Sequence, residues 1–200
     1  MQPYLVGIAG PSGAGKSVFC RRVLDTCAGV ARLKLDDFFC DESDVERHPS
    51  GYAYWDHPQS LKWDWLYQAL LYAKCGEPYE IPEYLRAENR MVGTKWTELA
   101  PVMLVDGYQI LYDERIRGLL DFSLYFDLDE SHQVLRRIER QPDVDREYLY
   151  HVMLPAAEAF LIPTRRFADA VIDAHPPKEA VFEEAFGALR GWGEKVGIRF

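Results

Sequence analysis

The chain is poor in the features that mark several protein classes. Its four cysteines, Cys20, Cys27, Cys40 and Cys75, form no CxxC pair and keep no metal-type spacing with histidine. This excludes a disulfide framework and fits free, mostly buried thiols in a reducing compartment. No apolar run approaches the roughly 20 residues of a membrane span. The N-terminus, MQPYLVGIAG, has no basic stretch and enters an apolar run within a few residues, so no secretory leader is expected. Positive charge is also scarce. A net charge of −9 argues against a nucleic-acid or anionic-membrane binder, although it leaves room for a local basic pocket. There is no internal repeat and no low-complexity linker. What is present is a chain of 200 residues, 48% apolar and 14% aromatic, enough for one sizeable core. The expectation is a soluble, cytoplasmic single domain over residues 1–200, with its oligomeric state left open.

Hydrophobic patterning divides the chain into alternating elements. Short apolar runs at residues 4–9, 30–35, 101–105, 122–126 and 170–172 read as buried strands. Helical spacing marks residues 16–28, 61–74, 131–140, 146–161 and 178–192, with Pro155 inside the fourth as a kink. Strands alternating with helices imply an α/β domain with a central parallel sheet flanked by helices. Residues 36–59 are polar, aromatic and broken by His48-Pro49 and His57-Pro58, and residues 77–97 read as a loop or small hairpin. Segments this long and irregular are usually functional.

The sharpest signal is GPSGAGKS, residues Gly10, Pro11, Ser12, Gly13, Ala14, Gly15, Lys16 and Ser17. It fits G-x-x-x-x-G-K-[ST], follows a predicted strand and opens a predicted helix, which is the context of a P-loop. Glycines let the backbone wrap a phosphate chain, so that its N–H groups form an anion nest at a helix N-terminus. Lys16 would reach the β- and γ-phosphates, and the Ser17 hydroxyl would ligate Mg²⁺. A second metal-associated carboxylate is expected at a strand end, and PVMLVDGY supplies Asp106. LKLDDFF projects Asp36 and Asp37 from another strand end, the edge where parallel sheets bind ligands. One of the two suits a general base for an acceptor hydroxyl, while the other is free to face solvent or cap a helix. Arg136, Arg137, Arg140 and Arg146 crowd into LRRIERQPDVDR, where a mobile arginine could stabilise a transferring phosphoryl group. A solvated helix face paired with Glu139 is the plainer alternative.

Taken in order, GPSGAGKS, DDFF, WDHP, IPEY, LVDGY, RRIER and LPAAEAFLIPTRRFADAVI resemble the uridine kinase family of P-loop nucleoside kinases over roughly residues 4–173. DDFF followed by CDES also resembles nicotinamide riboside kinase, a relative of the same fold. The resemblance implies the P-loop NTPase fold, with a substrate-binding insert at about 36–97 and a short arginine-bearing lid at about 137–148. It implies ATP and Mg²⁺ as cofactors and a nucleoside-like small molecule as acceptor. Asp36 matches the general base for the ribose 5′-hydroxyl, and Asp56 the carboxylate that grips the ribose 2′- and 3′-hydroxyls. Tyr84 matches an aromatic beside the base, and Trp55 is a further candidate for that pocket. Arg137 and Arg140 match lid and transition-state arginines, with Arg137 toward the ATP. The late PTRRFAD run reads as structural, with Arg165 or Arg166 near the nucleotide.

Three positions depart from the family pattern. Asn89 stands near the place of a histidine that reads the pyrimidine edge, and it cannot carry charge. Asp106 replaces the more usual glutamate, and the lid is several residues shorter. The acceptor is therefore open among uridine or cytidine, nicotinamide riboside, and the substrates of phosphoribulokinase or pantothenate kinase relatives. Glu80, Glu83 or Glu88 would suit a cationic nicotinamide ring. From a different class, a nucleotide-dependent switch or slow ATPase would need neither Asp36 nor Asp56.

Overall fold

The computed structural model describes residues 2–200. Among the described residues there are seven strands: β1 (Tyr4–Ala9), β2 (Val30–Lys34), β3 (Glu80–Leu85), β4 (Arg90–Trp96), β5 (Val102–Asp106), β6 (Phe122–Asp127) and β7 (Ala170–Asp173). Five of them form one parallel sheet in the order β2-β5-β1-β6-β7, and β3 and β4 form a separate antiparallel hairpin. All five residues of β5 and five of the six in β1 are buried. This is why these strands read as unbroken apolar runs rather than alternating ones.

Helices cover both faces of the sheet. On one side α1 (Lys16–Thr26) and α7 (Lys178–Val196) bring Phe19, Val23, Phe182 and Leu189 against Val6, Ile8 and Leu104. On the other, α2 (Trp63–Lys74) packs Leu66 and Leu70 with Leu5, Met103 and Leu161. Two shorter helices start at aspartate caps. In α3 (Glu114–Arg117) the Asp113 carboxylate accepts from the N–H groups of Arg115 and Ile116, and in α4 (Glu130–Arg140) Asp129 accepts from that of His132.

The expected helix over 146–161 is not a single α-helix. It divides into α5 (Arg146–Tyr148), a π-helical turn Leu149–Met153, α6 (Leu154–Ala156) and a second π turn Ala157–Leu161, and then a 3₁₀ stretch Ile162–Phe167. Pro155 has no N–H to donate, and the widened turns on either side absorb the missing rung. The last helix runs beyond 192 to Val196, where Gly197 closes it at φ 79°. Among the described residues no helix is long and apolar enough to cross a membrane.

Candidate active site

Because the five sheet strands run parallel, their carboxyl ends share one edge. That edge carries the P-loop after β1, Asp36 after β2 and Asp106 at the end of β5. They open into a cleft of about 1180 Å³ lined also by Trp55, Asp56, Arg137 and Arg140. The sequence-predicted chemistry thus converges on the place where open α/β sheets bind ligands.

At the phosphate-binding end, Gly10, Gly13 and Gly15 hold φ angles of 129°, 84° and 94°, and α1 begins directly after Gly15. The Lys16 ammonium is buried and donates to the Pro11 carbonyl at 2.8 Å. Burial lowers its pKa, and the nearby Asp106 and Asp36 carboxylates oppose that shift. The Ser17 hydroxyl donates to Asp106 Oδ2 at 3.3 Å. The same carboxylate oxygen is paired with Arg32 from β2, whose Nε is buried without a partner. A hydroxyl and a carboxylate side by side make a hard oxygen donor set, which fits a magnesium ion.

The DD pair divides cleanly. Asp37 turns to the hairpin and pairs with Lys95 at 2.8 Å, while Asp36 lines the cleft. Asp36 sits in a 3₁₀ turn, Leu35–Phe38, that packs against the residue following Asp106. A Cβ on Gly107 would fall 2.3 Å from that of Leu35, so only glycine lets the two acid-bearing loops approach. The Asp36 carboxylate reaches cleft water, yet the surrounding walls strip enough solvent to raise its pKa, and the Asp106 charge adds to the rise.

Asp56 lies deeper. Its Oδ2 accepts from the Tyr148 hydroxyl at 2.5 Å, and its backbone carbonyl accepts from Gln109 Nε2 at 2.8 Å. Burial raises its pKa, offset in part by the Tyr148 hydrogen bond and by the charges of Arg137 and Arg86. The Arg86 guanidinium stands 4.6 Å from the Phe39 ring centroid and 5.2 Å from that of Trp55, within cation–π reach of both. Trp55 is held in turn by Tyr108, whose hydroxyl donates to its carbonyl at 3.1 Å.

Three arginines of α4 face the cleft with different duties. Arg136 bridges the carbonyls of Gly13, at 3.1 Å, and Ala174, at 2.9 Å, and so fixes the P-loop to the end of β7. Arg140 donates to the Ser12 hydroxyl at 3.3 Å. Arg137 is half-buried; burial and the Arg140 charge lower its pKa, and its Nε is buried without a partner. Residues 141–145 then turn into α5, where Asp145 accepts from the Tyr52 hydroxyl at 2.6 Å. That contact and the Tyr148–Asp56 bond tie residues 145–148 to the 52–56 loop.

The family model described as "Phosphoribulokinase / Uridine kinase family" matches residues 5–180. The chain belongs to that family. It is 31% identical over 183 residues to a uridine kinase of Deinococcus deserti, covering 86% of this chain and 88% of the relative. A structure described as a possible uridine kinase from Bacillus stearothermophilus superposes with a TM-score of 0.63 at 19% identity, over 86% of this chain and 90% of that one. Phosphoribulokinase from Rhodobacter spheroides gives 0.65 at 16% identity, over 88% and 74%. Membership of this kinase family supports a nucleotide-binding phosphotransferase, and the structures share its α/β fold.

In this member of the family, two expected acceptor residues stand away from the cleft wall. Asn89 occupies the hairpin turn at φ 48°, and its amide is spent on Glu42 at 3.2 Å. Tyr84 packs on Phe39 and donates to the Cys40 carbonyl at 3.2 Å, behind the lining. Glu80 and Glu88 are engaged by Thr94 and Arg90. None of Glu80, Glu83 and Glu88 lines the cleft, so the acidic pocket for a cationic ring does not form there. Arg165 pairs with Asp127 at 3.0 Å and Arg166 lies by Phe167, both off the main cleft. Of the four free thiols, Cys20 and Cys27 are buried, while Cys40 is half-buried and Cys75 exposed. The sequence reading did not single out Arg32, Arg86, Gln109 or Tyr148. For Arg86 the signal was present, two residues after the IPEY tyrosine, in the turn that follows β3.

Proposed function

We propose that this chain is an ATP-dependent kinase that transfers the γ-phosphoryl group to the primary hydroxyl of a ribonucleoside-like acceptor. The observation that carries this reading is that Asp36 and Asp56 line the same cleft as the P-loop lysine. A switch or slow ATPase has no use for an acceptor base or a sugar clamp. Gly10 to Ser17 bind the phosphate chain, and Lys16 neutralises it. Ser17 and Asp106 would hold Mg²⁺, which neutralises phosphate charge when bound. Asp36 takes the proton from the acceptor hydroxyl, and its raised pKa brings it closer to the basicity such a transfer requires. Asp56 accepts from two vicinal hydroxyls of the sugar in place of the Tyr148 phenol. Arg137 and Arg140 supply positive charge where the phosphoryl group transfers, under a lid at 137–148.

The test is ADP release with Mg²⁺-ATP against uridine, cytidine, nicotinamide riboside, ribulose 5-phosphate and pantothenate, with a blank lacking acceptor. Strong stimulation by one ribonucleoside is the expected result, and Asp56→Ala is expected to raise the KM of that acceptor by about a hundredfold or more through loss of two charge-assisted hydrogen bonds. A blank rate equal to every acceptor rate would return the chain to the switch class. Unchanged KM in Asp56→Ala would remove the sugar clamp.

Arg86 favours a second reading of the acceptor's far end. A cation stacked on Trp55 and Phe39 suits a carbonyl-rich base or an anionic group, and it opposes the cationic nicotinamide ring. Arg86→Ala is expected to raise the KM of the best acceptor about ten- to a hundredfold with little change in ATP KM. If nicotinamide riboside proved the best acceptor and Arg86→Ala improved it no further, this assignment would be wrong.

A further inference from the structure

The carboxyl ends of β6 and β7 carry a cluster that the phosphoryl-transfer site leaves unused. Asp129 Oδ2 lies 2.8 Å from His132 Nδ1 and 2.8 Å from His175 Nε2. The three donor atoms fall within 4.8 Å of one another. The two rings stand nearly perpendicular, with centroids 4.9 Å apart. We propose that Asp129, His132 and His175 form a binding site for a divalent transition-metal ion of the zinc class, at the rim of the nucleotide cleft.

Each ligand is aimed by a separate contact. Asp129 Oδ1 is occupied as the cap of α4, accepting from the Ser131 hydroxyl at 2.6 Å and the His132 N–H at 2.9 Å, which leaves Oδ2 turned to the histidines. His132 is one helical turn on, so the same helix start presents two ligands on one side. His175 Nδ1 is 2.5 Å from Asp173 Oδ1, which fixes Nε2 as the inward nitrogen. A carboxylate behind a ligating imidazole is the usual outer-shell support of such sites. Two imidazole nitrogens and one carboxylate oxygen match the three-ligand, open-position pattern of zinc. Bonds of about 2.0–2.1 Å put tetrahedral donors roughly 3.3 Å apart, so each histidine nitrogen would move about half an ångström away from Asp129 Oδ2, within the reach of side-chain rotation. The three side chains are 37–48% exposed, so an ion from solution can enter. Imidazole ligation selects zinc, nickel or cobalt over magnesium, which separates this site from the oxygen donors Ser17 and Asp106. His175 also lines the main cleft beside Pro176 and Pro177, so an ion here would tie β6, α4 and the cleft rim together.

The probe is Zn²⁺ alone, with no nucleotide, added to the full chain and followed by calorimetric titration and thermal melting. Ni²⁺ and Co²⁺ serve as second probes, and Mg²⁺ as the comparison. Wild type is expected to bind one Zn²⁺ at this site and to melt higher with it, while Mg²⁺ at the same concentration gives no shift. His132→Ala and the milder His132→Gln keep the backbone cap of α4 and the thiols Cys40 and Cys75. Each is expected to weaken Zn²⁺ binding at least tenfold with its metal-free melting temperature close to wild type. Co²⁺ should give a visible ligand-field band in wild type that both variants lose. Zn²⁺ binding in both variants with wild-type affinity, or no binding by wild type at 100-fold molar excess, would overturn the proposal.

Discussion

Asp36→Asn is expected to lower kcat by about 10²–10⁴-fold with the best acceptor, the usual worth of a positioned general base. ATP affinity should change little, because the P-loop contacts are made by other residues. The pH profile gives the sharper test. Desolvation and the Asp106 charge raise the pKa of Asp36. Its active form is the carboxylate, so wild-type kcat/KM should fall as pH drops through that raised value, with an inflection above the roughly 3.9 of an ordinary aspartate. The same shift fixes the sign for stability. A carboxyl whose pKa rises on folding weakens the folded state once it is ionised, at pH above its unfolded value. Asp36→Asn should therefore melt at or above the wild-type temperature at neutral pH while losing activity. Full turnover by this variant would exclude Asp36 as the base, and a lower melting temperature would mean that the carboxylate has a structural partner.

Gly10→Ala is expected to be the most damaging single-methyl change in the phosphate-binding loop. Gly10 holds φ at 129°, which L side chains rarely adopt, and an added Cβ would lie 2.3 Å from the Phe126 carbonyl oxygen. Phe126 belongs to β6 and is opposite Ile172 of β7, so its backbone cannot retreat without unpairing the sheet. Strain plus a backbone collision should cost about 3 kcal/mol or more. For a chain of this size that is a drop of roughly 6–12 °C in Tm. Gly15→Ala is the control, because its φ is 94° but nothing lies within 4 Å of the added Cβ. It should lose roughly 1 kcal/mol from conformation alone. Equal losses at the two positions would show that the approach to β6 is not what requires glycine at Gly10.

The legible part of this molecule was local. GPSGAGKS, the apolar strand ahead of Asp106 and the DD pair each carry their meaning within eight residues, so the parallel sheet and its ligand edge followed from patterning. The choice between Asp36 and Asp37 did not. It depends on Lys95, 58 residues away, which takes Asp37 and leaves Asp36 to the cleft. The Tyr148 hydroxyl on Asp56 spans 92 residues and the Arg32 pair with Asp106 spans 74. Neither leaves a trace in spacing. The family resemblance sets Asn89 near the place of a histidine, but a turn with φ of 48° and a neighbouring Glu42 claim it first. Helical periodicity over 146–161 was real. It could not distinguish an α-helix from one widened twice around Pro155, because a π turn displaces the pattern by a single residue.

The position of β1 governs how this protein can be made. The first strand of the chain lies in the middle of the sheet, with Tyr4 opposite Val102 and Val6 opposite Phe122. Neither neighbour exists when β1 leaves the ribosome. At roughly 5–20 residues per second, β1 and the loop behind it wait on the order of ten seconds for both flanking strands to be synthesised. The loop behind β1 is thus translated well before the strands that give it its shape. Pairings of such long sequence separation also close slowly. During that interval the apolar run of β1 is exposed, and a nascent chain stalled before Phe122 would present it to chaperones or to other chains.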